Sequence, residues 1–183
     1  LVWTGNGDGV NWSQPANWDG THTPGSGYVL VFQSSVTVNN DMGAVTVEGI
    51  RTENAPTVTI TGEGKLTLGT SLVSNTGTIY FRLPVDGSKI DWSHYLLSGA
   101  SGCHMYFCKG FTCSGDFLVK GNGAIHFQEV PCKLSKACYA IDSSSSEIHF
   151  DVADNVSGSG ICSYWNNKFY FSVADAYVGK LVL

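Results

Sequence analysis

A duplicated acidic segment is the first sign of chemistry in this chain: Phe150-Asp-Val-Ala-Asp154 recurs as Phe171-Ser-Val-Ala-Asp175, displaced by 21 residues. If the two copies stack, Asp154 and Asp175 become neighbouring carboxylates. Such a pair shares a proton, one pKa rises, and acid–base work on a peptide or glycosidic bond becomes possible. The alternative is two solvated turn residues. The same copies belong to a wider pattern of an apolar residue, an aromatic residue or histidine, and an apolar residue. It reads Ile79-Tyr80-Phe81, Met105-Tyr106-Phe107, Ile125-His126-Phe127, Ile148-His149-Phe150 and Phe169-Tyr170-Phe171. Lined up, the middle residues Tyr80, Tyr106, His126, His149 and Tyr170 form a stripe about 20 Å long at one strand spacing per step. If exposed, that stripe suits an extended sugar chain by stacking and hydrogen bonding; if covered, it is a second core.

Six cysteines, Cys103, Cys108, Cys113, Cys132, Cys138 and Cys162, all fall in the second half. An even count in a loop-rich β protein predicts disulfides and an oxidising compartment. Similar positions relative to the repeated strand favour Cys113–Cys132 and Cys138–Cys162, with Cys103–Cys108 as the third bridge; reduced buried thiols are the alternative. Cys103, His104, Cys108 and Cys113 with His94 do not keep the short spacing of a zinc knuckle, so no metal and no cofactor are expected. GNGDG has neither the lysine and helix of a phosphate loop nor the tandem copies of a calcium repeat. There is no G-x-S-x-G, and Asp19-Gly20-Thr21 and Asp86-Gly87-Ser88 have the wrong order for a D-T-G or D-S-G aspartic peptidase motif.

The elements that must hold these residues are short strands. Twenty-two glycines and few helix formers accompany apolar runs such as SVTVNN, AVTVEGI, PTVTITGEG, KLTLG and TIYFRLP, each ended by Gly, Asn or Pro. The triplets begin 26, 20, 23 and 21 residues apart, the spacing of a stack in which every coil contributes an equivalent strand. An all-β fold with almost no helix follows, solenoid-like or sandwich-like. Pro84, Asp86 and Gly87 break the strand rhythm and predict two small subdomains, 1–83 and 84–183.

The opening LVWTGNGDGVNWSQPANWDG places Trp3, Trp12 and Trp18 among turn residues before any hydrophobic run. Trp3 with Gly5, Asp8-Gly9 with Trp12, Ala16-Asn17-Trp18, Pro24 to Phe32, and the later TITGEGKLTLG together resemble autotransporter-associated β-strand repeat proteins over about the first 83 residues. That resemblance implies a secreted or surface-exposed bacterial protein whose strands stack into a long solenoid used for adhesion and display. It does not extend to residues 84–183. Physically, three indoles folded by Gly and Asn turns would close the end of a β stack, which otherwise exposes apolar cross-section and unpaired backbone. The rival reading is an aromatic platform for sugar rings.

A formal net charge of −5 with scattered basic residues leaves no footprint for nucleic acid, and no apolar run is long enough to span a bilayer. The start lacks the features of a signal peptide, and KLVL ends within a strand-like run, so the chain reads as a mature, trimmed or partial product. The expected role is a secreted bacterial adhesion or host-glycan (mucin-type) binding module, monomeric, with a host glycoprotein or glycan as partner. The alternatives are a small secreted hydrolase of mucin-type glycoprotein, aspartate-dependent through Asp154 and Asp175, or a structural spacer.

Overall fold

The computed structural model describes residues 1–69, 74–89, 95–98, 102–113, 117–120, 123–128, 132–134, 138–141, 147–151, 156–157, 161–164, 168–171 and 181–182. The chain winds into a β-solenoid whose coils contribute in turn to three parallel sheets. The first sheet stacks eight strands, from Val29–Phe32 through Gly49–Thr52, Ser74–Asn75, Tyr95–Ser98, Phe117–Lys120, Cys138–Ile141 and Ile161–Tyr164 to Leu181–Val182. The second stacks seven: Val36–Asn40, Thr57–Gly62, Thr78–Arg82, His104–Phe107, Ala124–Phe127, Glu147–Phe150 and Lys168–Phe171. The third stacks six: Val45–Val47, Leu66–Leu68, Val85–Asp86, Phe111–Cys113, Cys132–Leu134 and Val156–Ser157. The sandwich alternative is thereby excluded. The ladders run on through residues 83–84, since Val85–Asp86 pairs with Leu66–Leu68 on one side and Phe111–Cys113 on the other.

Alternation sorts the side chains. On the second sheet, Val58, Ile79, Met105, Ile125 and Ile148 form one buried inner row, and Val38, Ile60, Phe81, Phe107 and Phe127 another. Leu30, Phe32 and Ile50 of the first sheet and Val47, Leu66, Leu68, Val85 and Phe111 of the third meet them in one core. Each fully buried residue of this size contributes roughly 1.5–3 kcal/mol by leaving water. Phe81, Phe107 and Phe127 also stack ring on ring, with centroids 5.1 and 5.5 Å apart.

Residues 1–19 close the stack at the first coil. Leu1–Trp3 adds to the edge of the first sheet: Val31 N–H donates to the Leu1 carbonyl and Trp3 N–H to the Val31 carbonyl, both at 2.8 Å. Asn11 does the same on the second sheet, with Trp12 N–H donating to Asn39 O at 3.0 Å and Asn39 N–H to Val10 O at 2.9 Å. Trp3, Trp12 and Trp18 are all buried and meet edge to face, Trp3–Trp18 at 4.9 Å and Trp12–Trp18 at 6.2 Å, over Phe32. The indoles form a cap, and their burial leaves no face for a sugar ring. The Trp18 indole N–H donates to the Trp12 carbonyl at 3.2 Å. The Trp12 indole N–H has no acceptor.

The disulfide expectations need correction. Cys103 and Cys108 are buried thiols not joined to each other. The strand His104–Phe107 separates them, and five extended steps span about 16 Å, far beyond the reach of a disulfide. Register sets Cys113 opposite Leu134, Cys138 opposite Ile161 and Cys162 opposite Tyr139, so neither Cys113–Cys132 nor Cys138–Cys162 is a register pair. The expectation failed because coil lengths differ, and counting residues from a neighbouring strand does not fix alignment across a corner.

Close stacking also dictates some corners. A β-carbon on Gly64 would collide with the carbonyl of Gly43, the equivalent corner one coil below, whereas one on Gly25 would meet nothing within 4 Å. Gly64→Ala is expected to lower stability by about 1–3 kcal/mol, the range for overpacking. Gly25→Ala should leave it unchanged; thermal unfolding of the pair checks the contrast.

Candidate functional site

The outward face of the second sheet carries the chemistry. Cα register aligns Tyr80, Tyr106, His126, His149 and Tyr170 as successive rungs. Their neighbours Ile79, Met105, Ile125 and Ile148 turn inward, so alternation sends the middle residues out. Tyr80, Tyr106, His126 and His149 are each half-buried, making the row a surface feature rather than a second core.

The rungs stack on one another. Centroids lie 4.6 Å apart for Tyr80–Tyr106, 4.2 Å for Tyr106–His126 and 4.2 Å for His126–His149, with interplanar angles of 9°, 16° and 23°. This changes what the row can do. Face-to-face stacking occupies the ring faces internally and leaves the edges to solvent, so the ladder offers phenol hydroxyls and imidazole nitrogens rather than flat platforms. At its lower end the Arg82 guanidinium lies 5.9 Å from the Tyr80 ring centroid.

Residues two positions to either side of a rung share its face. His104 Nδ1 lies 3.1 Å from His126 Nε2, and Asp151 Oδ2 lies 3.5 Å from His126 Nδ1. His149 Nε2 is 3.1 Å from Glu147 Oε2. A carboxylate only accepts, so that proton sits on Nε2 of His149. Gln128 extends the row, its amide donating to Asp151 Oδ2 at 3.3 Å, and the Cys108 thiol lies 3.7 Å from its Oε1. Burial, then the neighbouring His149, push the His126 pKa down to about 4 despite Asp151, so this imidazole is neutral at pH 7. Burial, then Tyr80, raise the Tyr106 phenol, which stays a donor.

Beside the ladder, a groove of about 400 Å³ is lined by Asn39, Thr61, Gly62, Glu63, Arg82 and Lys109. Arg82 belongs to both features, and it gives the groove, with Lys109, two cations against the single carboxylate of Glu63.

Asp154 and Asp175 lie outside the described residues, as does His94. The sequence reading missed Gln128, Glu147 and Asp151, and weighed His104 only beside the cysteines. The signal was present: carrying the strand alternation two residues beyond each middle position leads directly to Glu147-x-His149-x-Asp151, His104-x-Tyr106 and His126-x-Gln128. No family model, curated protein or solved structure matches the chain.

Proposed function

We infer that this chain is a binding module that presents the outward face of its second sheet to an extended, hydroxyl-rich glycan of the mucin type. The observation that supports the reading is the in-register ladder of Tyr80, Tyr106, His126 and His149, half-exposed and offering one polar ring edge per coil. Repeating polar groups at a fixed pitch suit a repeating polymer. The groove at Arg82 and Lys109 provides for an acidic sugar at one end of it. Placement at a bacterial cell surface, or in the secreted fraction, draws on the likeness of the opening residues to autotransporter-associated repeats. Among the described residues no helix is long and apolar enough to cross a membrane.

Edge recognition makes a specific prediction. Tyr80→Phe and Tyr106→Phe keep the stack and remove only a hydroxyl, so each should weaken retention on immobilised mucin glycans about 2- to 10-fold, the worth of one hydrogen bond. Full retention by both variants, with loss only in Tyr→Ala, would favour recognition by ring faces. No retention of the wild-type chain on any mucin glycan overturns the module.

A second reading, hydrolysis of the same glycoprotein, is supported by the carboxylate and imidazole neighbours Asp151–His126 and Glu147–His149, a general acid–base arrangement. Incubation with mucin between pH 3 and 8, followed by fragment analysis, separates the two. Cleavage abolished by Asp151→Asn or Glu147→Gln would replace the binding role with the enzymatic one. Retention without cleavage at any pH ends the enzymatic reading.

A further inference from the structure

The upper half of the ladder holds a cluster that sugar binding does not require. His126, His149 and Asp151 come from two adjacent coils, and one ligand atom of each lies within 4.8 Å of the others. The side chains are 11%, 18% and 22% exposed, respectively, half-sunk in the sheet face and still open to water. The 3.5 Å from His126 Nδ1 to Asp151 Oδ2 is long for a hydrogen bond. It is close to the edge of a coordination tetrahedron with bonds of about 2.0–2.1 Å, roughly 3.4 Å.

The surrounding groups supply a second argument. Histidines that bind metal hold their other ring nitrogen in a hydrogen bond, most often to a carboxylate, which fixes ring orientation and tautomer. Both histidines do so here. Nε2 of His149 is held by Glu147, and Nε2 of His126 faces His104 Nδ1, each at 3.1 Å. On His126 this leaves Nδ1, the atom that faces Asp151.

We propose that His126, His149 and Asp151 form a binding site for a divalent transition metal of the zinc class, with Glu147 and His104 orienting the two imidazoles. Two imidazoles and one carboxylate match the ligand preference of zinc over calcium or magnesium, and three protein ligands leave the fourth position to solvent. With a tetrahedral edge of roughly 3.4 Å against a spread of up to 4.8 Å, the ion draws the most widely separated pair together by up to about 1.4 Å. The cluster escaped the sequence reading because its two histidines lie 23 residues apart and only coil register joins them.

Titration of the full chain with zinc alone, by calorimetry, tests the site without any sugar present and so separately from the glycan reading. One zinc per chain with a Kd of about 10 μM or tighter is expected, weakened at least 10-fold in His149→Ala and in Asp151→Asn, and unchanged in His22→Ala, an exposed histidine far from the cluster. Cobalt(II) loading of the wild-type chain supplies a readout that depends on no variant. Strong visible bands of a four-coordinate ion without thiolate charge transfer are expected. Absence of zinc binding up to 1 mM, equal binding by folded His149→Ala and Asp151→Asn, or a thiolate band placing the ion on cysteines would each overturn the proposal.

Discussion

Trp12→Ala is expected to lower the stability of the first coils by about 3–5 kcal/mol, the usual cost of truncating a fully buried aromatic side chain. Trp12 is inaccessible to solvent and packs against Trp18, which in turn covers Phe32, so its loss opens a cavity directly above the first turn of the core. The backbone contribution survives, because Trp12 N–H still reaches Asn39. Trp12→Phe is the informative companion. It retains most of the apolar contact and removes the indole N–H that has no acceptor, whose burial alone costs roughly 1–3 kcal/mol. Its penalty should therefore be less than half that of alanine. Urea unfolding monitored by tryptophan fluorescence gives both values. Unchanged midpoints accompanied by loss of sugar retention would turn the cap back into a binding platform.

The second large effect is expected at Asn17. This side chain is fully buried and spends all of its hydrogen-bonding capacity on one loop. Its Oδ1 accepts from Gly7 N–H at 2.8 Å and Gly9 N–H at 3.0 Å, while Nδ2 donates to Asp8 Oδ1 and to the Asn11 carbonyl, both at 2.8 Å. Gly7 is closely approached as well, since an added β-carbon there would sit 2.8 Å from Asn17 Oδ1. Asn17→Leu leaves two backbone amides without partners and should cost about 3–5 kcal/mol, at roughly 1–3 kcal/mol for each stranded group. Asn17→Asp should be no milder, because an acceptor then confronts the Asp8 carboxylate and the Asn11 carbonyl. The same urea series, extended to low pH, reads a linked effect. The backbone N–H groups of Asn11 and Val10 and the Asn17 amide hold the Asp8 carboxyl well below the usual carboxylate range. A depressed folded pKa contributes stability above about pH 4 that is lost as pH falls further, so the cap should loosen in acid, and less so in Asp8→Asn. A pH-independent cap in the wild-type chain would contradict this network.

Much of the architecture is legible in the sequence itself. The triplet spacings of 26, 20, 23 and 21 residues coincide with Cα register on the second sheet, because a recurrent pattern of inner and outer residues cannot slip by one without reversing its faces. The indole cap was legible for a related reason: large apolar area lodged among turn residues has few uses other than covering an end. What failed was geometry across corners. The cysteine pairs were matched by counting from strands, and a corner can absorb several residues unseen. At the predicted division near residue 83, Val85–Asp86 is a short strand of the third sheet. The polar groups around His126 and His149 escape the repeat because the positions two residues to either side of each triplet do not recur in type from coil to coil.

The unequal corners also bear on heredity. Strands keep a fixed register while the number of residues between equivalent positions varies from 20 to 26, so small insertions are absorbed between sheets without moving any row. Duplication or loss of a complete winding is then the natural unit of change in such a gene. Each event lengthens or shortens the polar edge by one rung of about 4.8 Å and leaves its pattern intact. Length can thus change in discrete steps without redesigning a single contact.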